Sequence, residues 1–465
     1  MVTGQLEVRS ARRQLTDGWA VGVLVAVVGV LTAVHLAVGS GYVLDDWYAY
    51  RNTRFDGWAE AADGGLGLAR PGSKLTFGLA FGFAGDNQAA MVLIRYGLVL
   101  AAAVLGYLVL RRFVRRDAAL ACMALWLVLP NHMSLEYWPS ALVASVSVVA
   151  LLGALLLIAD RQVRPIRLLA ACACTALSVL TYESSYLPAA VAAVALPWLC
   201  ARRLQWRVVV AIWATLAASA LWMLTHWTSV KSVHNDASGY RDVFQAHFGW
   251  GVFRAGPFAS VMLLAGLLGA VVVVARVARP SSRPSAGPAD WLVCAGLAVM
   301  VLGSVTFVLY YYAPIGAGDR VSYLSSMGGA MVVVGLLRLL AQHARAVAVV
   351  LAVVIVAGAL MARAERTELW ATATADADRI VEALAATDFS CTTVYLGPAP
   401  IQRQNVVAFL DASNVDGAVQ VAVGRRDVKG VMTYDQATFD AAPEGCRVDL
   451  RPLSRLTPDS AAGPT

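Results

Sequence analysis

The chain has 465 residues, 59% of them hydrophobic and only 14% charged, with a mean hydropathy of +0.64. A soluble globular protein is nearer a quarter charged, so that class is excluded. The formal charge of +7 does not mark a nucleic-acid binder. Its basic residues fall in short clusters between apolar runs, which is the pattern of a polytopic membrane protein.

The first apolar run, residues 19–39, has no convincing small-residue cleavage site and reads as a retained helix, not a removed signal peptide. Further crossings are expected at about 88–110, 118–130, 141–159, 166–181, 186–201, 207–229, 256–275, 291–313, 321–341 and 345–362. Each is near the ~20 residues a helix needs to cross the hydrocarbon, and together they make about eleven. The short connections after alternate crossings hold Arg111, Arg112, Arg115 and Arg116, then Arg161, Arg164 and Arg167, then Arg202, Arg203 and Arg207. Arg276, Arg279 and Arg283, and then Arg338 and Arg345, continue the series. The positive-inside bias therefore puts these turns and the N-terminus in the cytoplasm, and an odd number of crossings puts residues 363–465 outside.

The opposite loops carry the elaboration. Residues 40–87 form a long first outer loop, whose apolar stretch Leu75–Ala84 is too short to span and reads as a helix on the membrane surface. The tail, 363–465, reads as a separate small α/β domain. It has a helical stretch at 364–387 and strands expected at Thr392–Leu396, Val419–Val423 and Cys446–Leu450. Five of the seven cysteines (Cys122, Cys172, Cys174, Cys200, Cys294) lie in apolar runs and read as small hydrophobes. Cys391 and Cys446 lie in the tail, where an extracytoplasmic setting allows a disulfide worth roughly 2–4 kcal/mol.

Three groups of residues can carry chemistry. Asp45 and Asp46 follow the first crossing directly, boxed by Tyr42, Trp47, Tyr48 and Tyr50. Neighbouring carboxylates repel, which raises one pKa and suits a general base. A helix cap, or an ion pair with Arg51 or Arg54, is the structural alternative. Glu183, beside Tyr182, sits at the tip of a hairpin that barely spans, and a carboxylate there is costly unless paired or functional. Arg320, with Tyr323 just after it at the start of a helix, suits an anionic group such as a phosphate. Arg70 and Lys74, before the surface helix, could clamp a lipid headgroup or snorkel. Arg95, early in the second crossing, can snorkel outward too, and His132 and Glu136 share a short outer turn. His234, Asp236, Asp242 and His247 share another loop, but their spacing fits no standard metal site.

Together these features resemble the GT-C type of polytopic glycosyltransferase, which uses lipid-phosphate-linked sugars. The acidic Asp45-Asp46-Trp47 after the first crossing and the helix at about 75–84 are similar to that architecture over residues 1–362. Arg320-Val-Ser-Tyr-Leu-Ser-Ser326 looks like a motif of membrane O-mannosyltransferases, and Tyr182-Glu183 resembles one in bacterial glucosyltransferases. The resemblance implies an inverting transfer from a polyprenyl-phosphate sugar to a glycan, lipid or protein acceptor of the cell envelope, in a bacterial plasma membrane. Asp45 or Asp46, with a lean to Asp46, would be the base. Arg320, with Lys74, Arg70 and Tyr323, would bind the donor phosphate, and Glu183 with Tyr182 would orient the acceptor or sugar. No cofactor is required by this reading, and a divalent cation stays open. A polysaccharide polymerase or ligase, and a lipid-linked-sugar flippase, are the competing classes.

Overall fold

The structure, a computed structural model, describes residues 2–60, 68–201, 204–226, 287–308, 316–387, 389–398, 402–403, 406–409 and 412–453. The expected crossing at 256–275 and the loop holding His234, Asp236, Asp242 and His247 lie outside these residues.

Each of the other expected crossings is a helix. They are α1 (Val2–Val38), α4 (Gln88–Leu110), α5 (Arg116–Val128), α6 (Leu142–Ile158), α7 (Pro165–Thr181), α8 (Tyr186–Ala201), α9 (Trp206–His226), α10 (Pro288–Val308), α11 (Tyr323–Ala341) and α12 (Arg345–Ala385). Between α1 and α4 lie α2 (Asp46–Asp56) and α3 (Pro71–Ala84). Among the described residues, seven segments are long and apolar enough to cross a membrane: Asp17–Val38, Gln88–Leu110, Pro139–Ile158, Glu183–Ala201, Trp206–His226, Asp319–Ala341 and Arg345–Ala385. Pro165–Thr181 and Pro288–Ser304 are apolar but shorter. Large apolar side chains such as Trp19, Val30, Leu224 and Val350 are exposed on these helices, as expected of surfaces that meet lipid. These features make the chain a membrane-associated, predominantly helical protein.

Backbones meet closely where glycine permits it. A Cβ on Gly296 of α10 would come within 2.7 Å of the Gly328 carbonyl on α11, and one on Gly328 within 2.5 Å of the Gly296 carbonyl. Small residues at such a crossing bring two helices into van der Waals contact in a setting where burial of apolar surface gives little drive.

The two ends of the bundle differ. At one end basic side chains meet acids on neighbouring elements: Arg111 with Asp17, Arg338 with Asp117, Arg167 with Asp160. At the other end sit the first loop, the turn at 129–141, the turn at 181–186 and the turn at 316–322. Here α3 lies across the bundle. Its N-terminal end meets the turn after α7, where Ser73 Oγ donates to the Thr181 carbonyl at 2.6 Å. Its C-terminal end meets the first loop, where Tyr42 Oη donates to the Gly85 carbonyl at 2.5 Å. Leu75, Leu79 and Phe83 form an exposed apolar stripe along α3, one residue per turn, while Phe81 is fully buried.

The tail is built on a three-stranded parallel sheet of β1 (Thr393–Gly397), β4 (Lys429–Met432) and β5 (Arg447–Asp449), with β1 in the middle. A short antiparallel pair, β2 (Gln402–Arg403) and β3 (Val406–Val407), stands beside it. Cys391 and Cys446 are joined in a disulfide that ties the approach to β1 to the approach to β5. One sequence expectation is corrected. Val419–Val423 is the end of a helix, α13 (Ala412–Val423), and not a strand. Its buried Val415, Ala418 and Val419 follow helical spacing, which a five-residue window of alternating residues conceals. Helix α12 runs without interruption from the apolar segment into the tail.

The tail packs directly on the first loop. A Cβ on Gly417 of α13 would approach the Trp47 carbonyl to 2.5 Å, so α13 can lie on α2 only with glycine there. Arg426 pairs with Asp56, and Arg51 reaches Gln420 at 3.4 Å. Gly417→Ala is expected to force the helices apart and cost about 1–3 kcal/mol, read as a lowered unfolding midpoint of the detergent-purified protein. Gly445→Ala, with open space around it, is the control and should leave the midpoint unchanged.

Candidate functional site

The acidic loop is held from both sides. Asp46 is fully buried. Its Oδ1 accepts from the backbone N–H and the hydroxyl of Ser140, both at 2.6 Å, and its Oδ2 accepts from Val43 N at 2.9 Å. These bonds join the first loop to the turn leading into α6. On the opposite side, Leu44 N donates to the Ala408 carbonyl at 2.9 Å, and Asn414 Nδ2 donates to Asp45 Oδ1 at 3.1 Å. Leu44 between them has φ +54°, a left-handed conformation that costs a branched residue about 1 kcal/mol or more. The neighbouring contacts hold it there. Asp45 itself is exposed.

Neither carboxylate is a side-chain helix cap, and neither is paired with the arginines considered from sequence. Arg51 bonds Asn52, and Arg54 reaches Tyr50 Oη at 3.4 Å and Asp86 at 4.0 Å. Burial pushes the Asp46 carboxyl up to about 7, against the opposing pull of the Ser140 and Val43 hydrogen bonds and the positive charge of Arg95.

Arg320 approaches the same turn from the other flank. Its guanidinium stacks over the Trp138 ring, 4.4 Å from the centroid. The carboxylate of Asp46 and the cation of Arg320 therefore rest on residues two apart, Ser140 and Trp138. Asp319, next to Arg320, is buried and accepts from Ser134 N at 2.9 Å, with Arg366 3.8 Å away. Tyr323 is fully buried, its ring against those of Trp126 and His132. In this structure it is a packing residue.

Glu183 belongs to a second cluster. Its Oε1 pairs with Arg70 Nη2 at 2.5 Å, both side chains nearly buried, and the Arg70 guanidinium lies 5.7 Å from the Tyr182 ring centroid. Ser147 Oγ on α6 donates to the Tyr182 carbonyl at 3.1 Å and shares a hydrogen bond with Ser185. Ser147 is seven residues beyond Ser140, roughly 10 Å along the helix axis, so this cluster lies deeper along α6 than Asp46. Lys74 stands apart, 3.6 Å from Glu60 and partly exposed. Of the residues expected to clamp a donor, Arg70 and Lys74 thus each have an acidic partner.

Sequence reasoning placed two further groups poorly. Arg95 does not snorkel: it is completely buried at the level of the first loop. Glu136, treated as a weak signal, is also completely buried, accepting from Tyr96 Oη at 2.9 Å and paired with Arg363 of α12. A charge inside an apolar run was the available signal for Arg95. Nothing local in the sequence linked residue 136 to residue 363.

Among the described residues no group of three His, Cys, Asp or Glu side chains is arranged to hold a metal ion. No protein-family model matches the chain, and no curated protein matches it.

The raised Asp46 carboxyl has a stability signature. A carboxylate whose folded value lies above its unfolded value binds protons better in the folded state, so its contribution is fullest below about pH 4. That contribution falls as pH rises to about 7 and is constant above. Measured against Asp46→Asn, whose side chain stays neutral, the wild-type unfolding midpoint should decline over that window and then run parallel. A constant difference across the window would show that Asp46 does not titrate in this way.

Proposed function

We propose that the protein is an integral-membrane glycosyltransferase of the GT-C type. It moves a sugar from a polyprenyl-phosphate donor to a glycan, lipid or protein acceptor of the cell envelope, with inversion at the anomeric carbon. The observation that carries this reading is the meeting of the acidic loop and Arg320 on one short turn, Trp138–Ser140, at one end of a bundle of apolar helices. Eleven crossings, a cytoplasmic N-terminus and an extracytoplasmic tail complete the proposal. The basic clusters at the far end of the bundle support that orientation.

The roles divide by accessibility. Asp45 is exposed and oriented by Asn414, so it is the carboxylate that an acceptor hydroxyl can reach. Asp46 is buried with both oxygens engaged, so it positions the loop. This reverses the lean to Asp46 as base. In the reaction, Asp45 takes the hydroxyl proton as the acceptor oxygen attacks the anomeric carbon. The bond from that carbon to the phosphate oxygen breaks, and the polyprenyl phosphate leaves with the electron pair. Arg320 offsets the charge that develops on it. The Arg70–Glu183 pair, deeper along α6, orients the sugar or the acceptor.

The test is incubation of the purified protein with a panel of polyprenyl-phosphate sugars, following release or transfer of the sugar. Asp45→Asn should lower turnover by roughly 100-fold or more with donor binding retained. Arg320→Ala should weaken donor binding. Full turnover in Asp45→Asn would remove it from the chemistry, and no turnover with any donor would remove the reading itself. For the orientation, a cysteine placed at the exposed Tyr434 in the tail should react with a membrane-impermeant thiol reagent added to intact cells.

A further inference from the structure

Asp46, Glu136 and Asp319 are all buried at the first-loop end of the bundle. Asp46 is held by neutral donors, whereas the other two face arginines of a single helix. Glu136 pairs with Arg363, and Asp319 Oδ2 lies 3.8 Å from Arg366 Nη1. Arg363 and Arg366 share one face of α12 with Thr367 and Trp370, at spacings of three, four and seven residues. That whole face is turned to the segment after α5. Tyr137 Oη donates to Thr367 Oγ1 at 3.2 Å, and its ring lies parallel to that of Trp370.

The two arginines also bond backbone there. Arg363 Nη1 donates to the Leu127 carbonyl at 3.1 Å, one of those that the end of α5 leaves open, and Arg366 Nη1 donates to the Pro130 carbonyl at 2.5 Å. Asp319 adds a cross-link, because its Oδ1 accepts from Ser134 N at 2.9 Å. It thereby fastens the 316–322 turn to the 129–141 turn. The two acids stand next to the partners of the cation–π stack: Glu136 is two residues before Trp138, and Asp319 directly precedes Arg320. A guanidinium 4.4 Å from a ring centroid is attracted strongly, but a slip of about 2 Å between the turns would carry it past the roughly 6 Å at which that attraction counts.

We propose that Arg363 and Arg366 are positioning residues for Arg320. Arg363 sets Trp138 through Glu136, Arg366 sets the 316–322 turn through Asp319, and together they hold the Arg320 guanidinium over the indole. Neither touches substrate. Only the consequence for a donor phosphate rests on the glycosyltransferase reading.

The experiment reads the rate at which phenylglyoxal, an arginine-selective reagent, modifies Arg320 in the full-length protein in detergent, followed by peptide mass spectrometry. Trp138→Leu removes the ring and sets the scale, with a rise of roughly threefold to tenfold expected. Arg363→Met and Arg366→Met should each raise the Arg320 rate toward that value, while Arg70, held by Glu183, keeps its wild-type rate. Added to Trp138→Leu, either substitution should raise the Arg320 rate no further. Wild-type reactivity of Arg320 in both methionine variants would overturn the proposal. So would an equal rise at Arg70, which marks general loosening, or a further rise on top of Trp138→Leu. Should the methionine variants not fold because a buried acid is left without its cation, Arg363→Met with Glu136→Gln, and Arg366→Met with Asp319→Asn, remove both charges together and give the same decision. Arg363→Lys and Arg366→Lys keep the charge and should restore most of the wild-type rate. None of these readouts needs turnover, so a protein without transferase activity can still pass them, and an active transferase can still fail them.

Discussion

Burial of one carboxylate governs the functional end of this molecule. Asp46 is withdrawn from water completely, and such a group is tolerated only where hydrogen bonds and opposite charge replace its hydration. Two donors on Ser140 and one on Val43 do so, and those donors belong to different parts of the chain. The bonds therefore fix the first loop to the entrance of α6. Once that junction is made, α2 can start only where it does, Leu44 is confined to its unfavourable backbone angle, and Asp45 is left facing outward. Arg320, resting on Trp138 two residues away, shares the same support.

The tail completes this arrangement from the other side. It supplies the Ala408 carbonyl, the Asn414 amide and the Gly417 surface against which the loop and α2 lie. The tail in turn is held in place by α12, which is pinned near its middle by the Arg363–Glu136 pair and by Arg366, bonded to the Pro130 carbonyl at 2.5 Å. The loop is thus clasped between two bodies that are themselves joined by one continuous helix. Breaking any one of these contacts relaxes a strained segment in which both carboxylates sit.

How much of this could be read beforehand follows from the range of the forces involved. Apolar runs of about twenty residues announce helices, because backbone groups in lipid must bond within their own segment, and every described crossing is helical. Strand β1 was visible in its Thr-Thr-Val-Tyr run and β5 as a short run at Cys446–Leu450, while Cys391 and Cys446 stood out by their isolation from the apolar runs. Val419–Val423 misled because its alternation is a local coincidence inside a longer helical pattern. Lys429–Met432 escaped notice because Lys-Gly-Val-Met carries little strand signal, and its pairing with β1 supplies the order. The site was legible as a set of charged residues and illegible as a set of pairs. Glu183 could be seen to need a partner, but Arg70 is 113 positions away. Arg95 and Glu136 stood out as charges, yet their burial depends on elements from across the chain.

The unbroken course of α12 has a mechanical consequence. Its 41 residues span roughly 60 Å, about twice the thickness of a bilayer's hydrocarbon layer. A rod that long is a lever: a tilt of ~5° at its base carries its far end about 5 Å sideways. The far end holds the body that leans on α2. Lipid thickness and lateral tension, which set the tilt of any long apolar rod, thereby gain a direct grip on how tightly the acidic loop is squeezed.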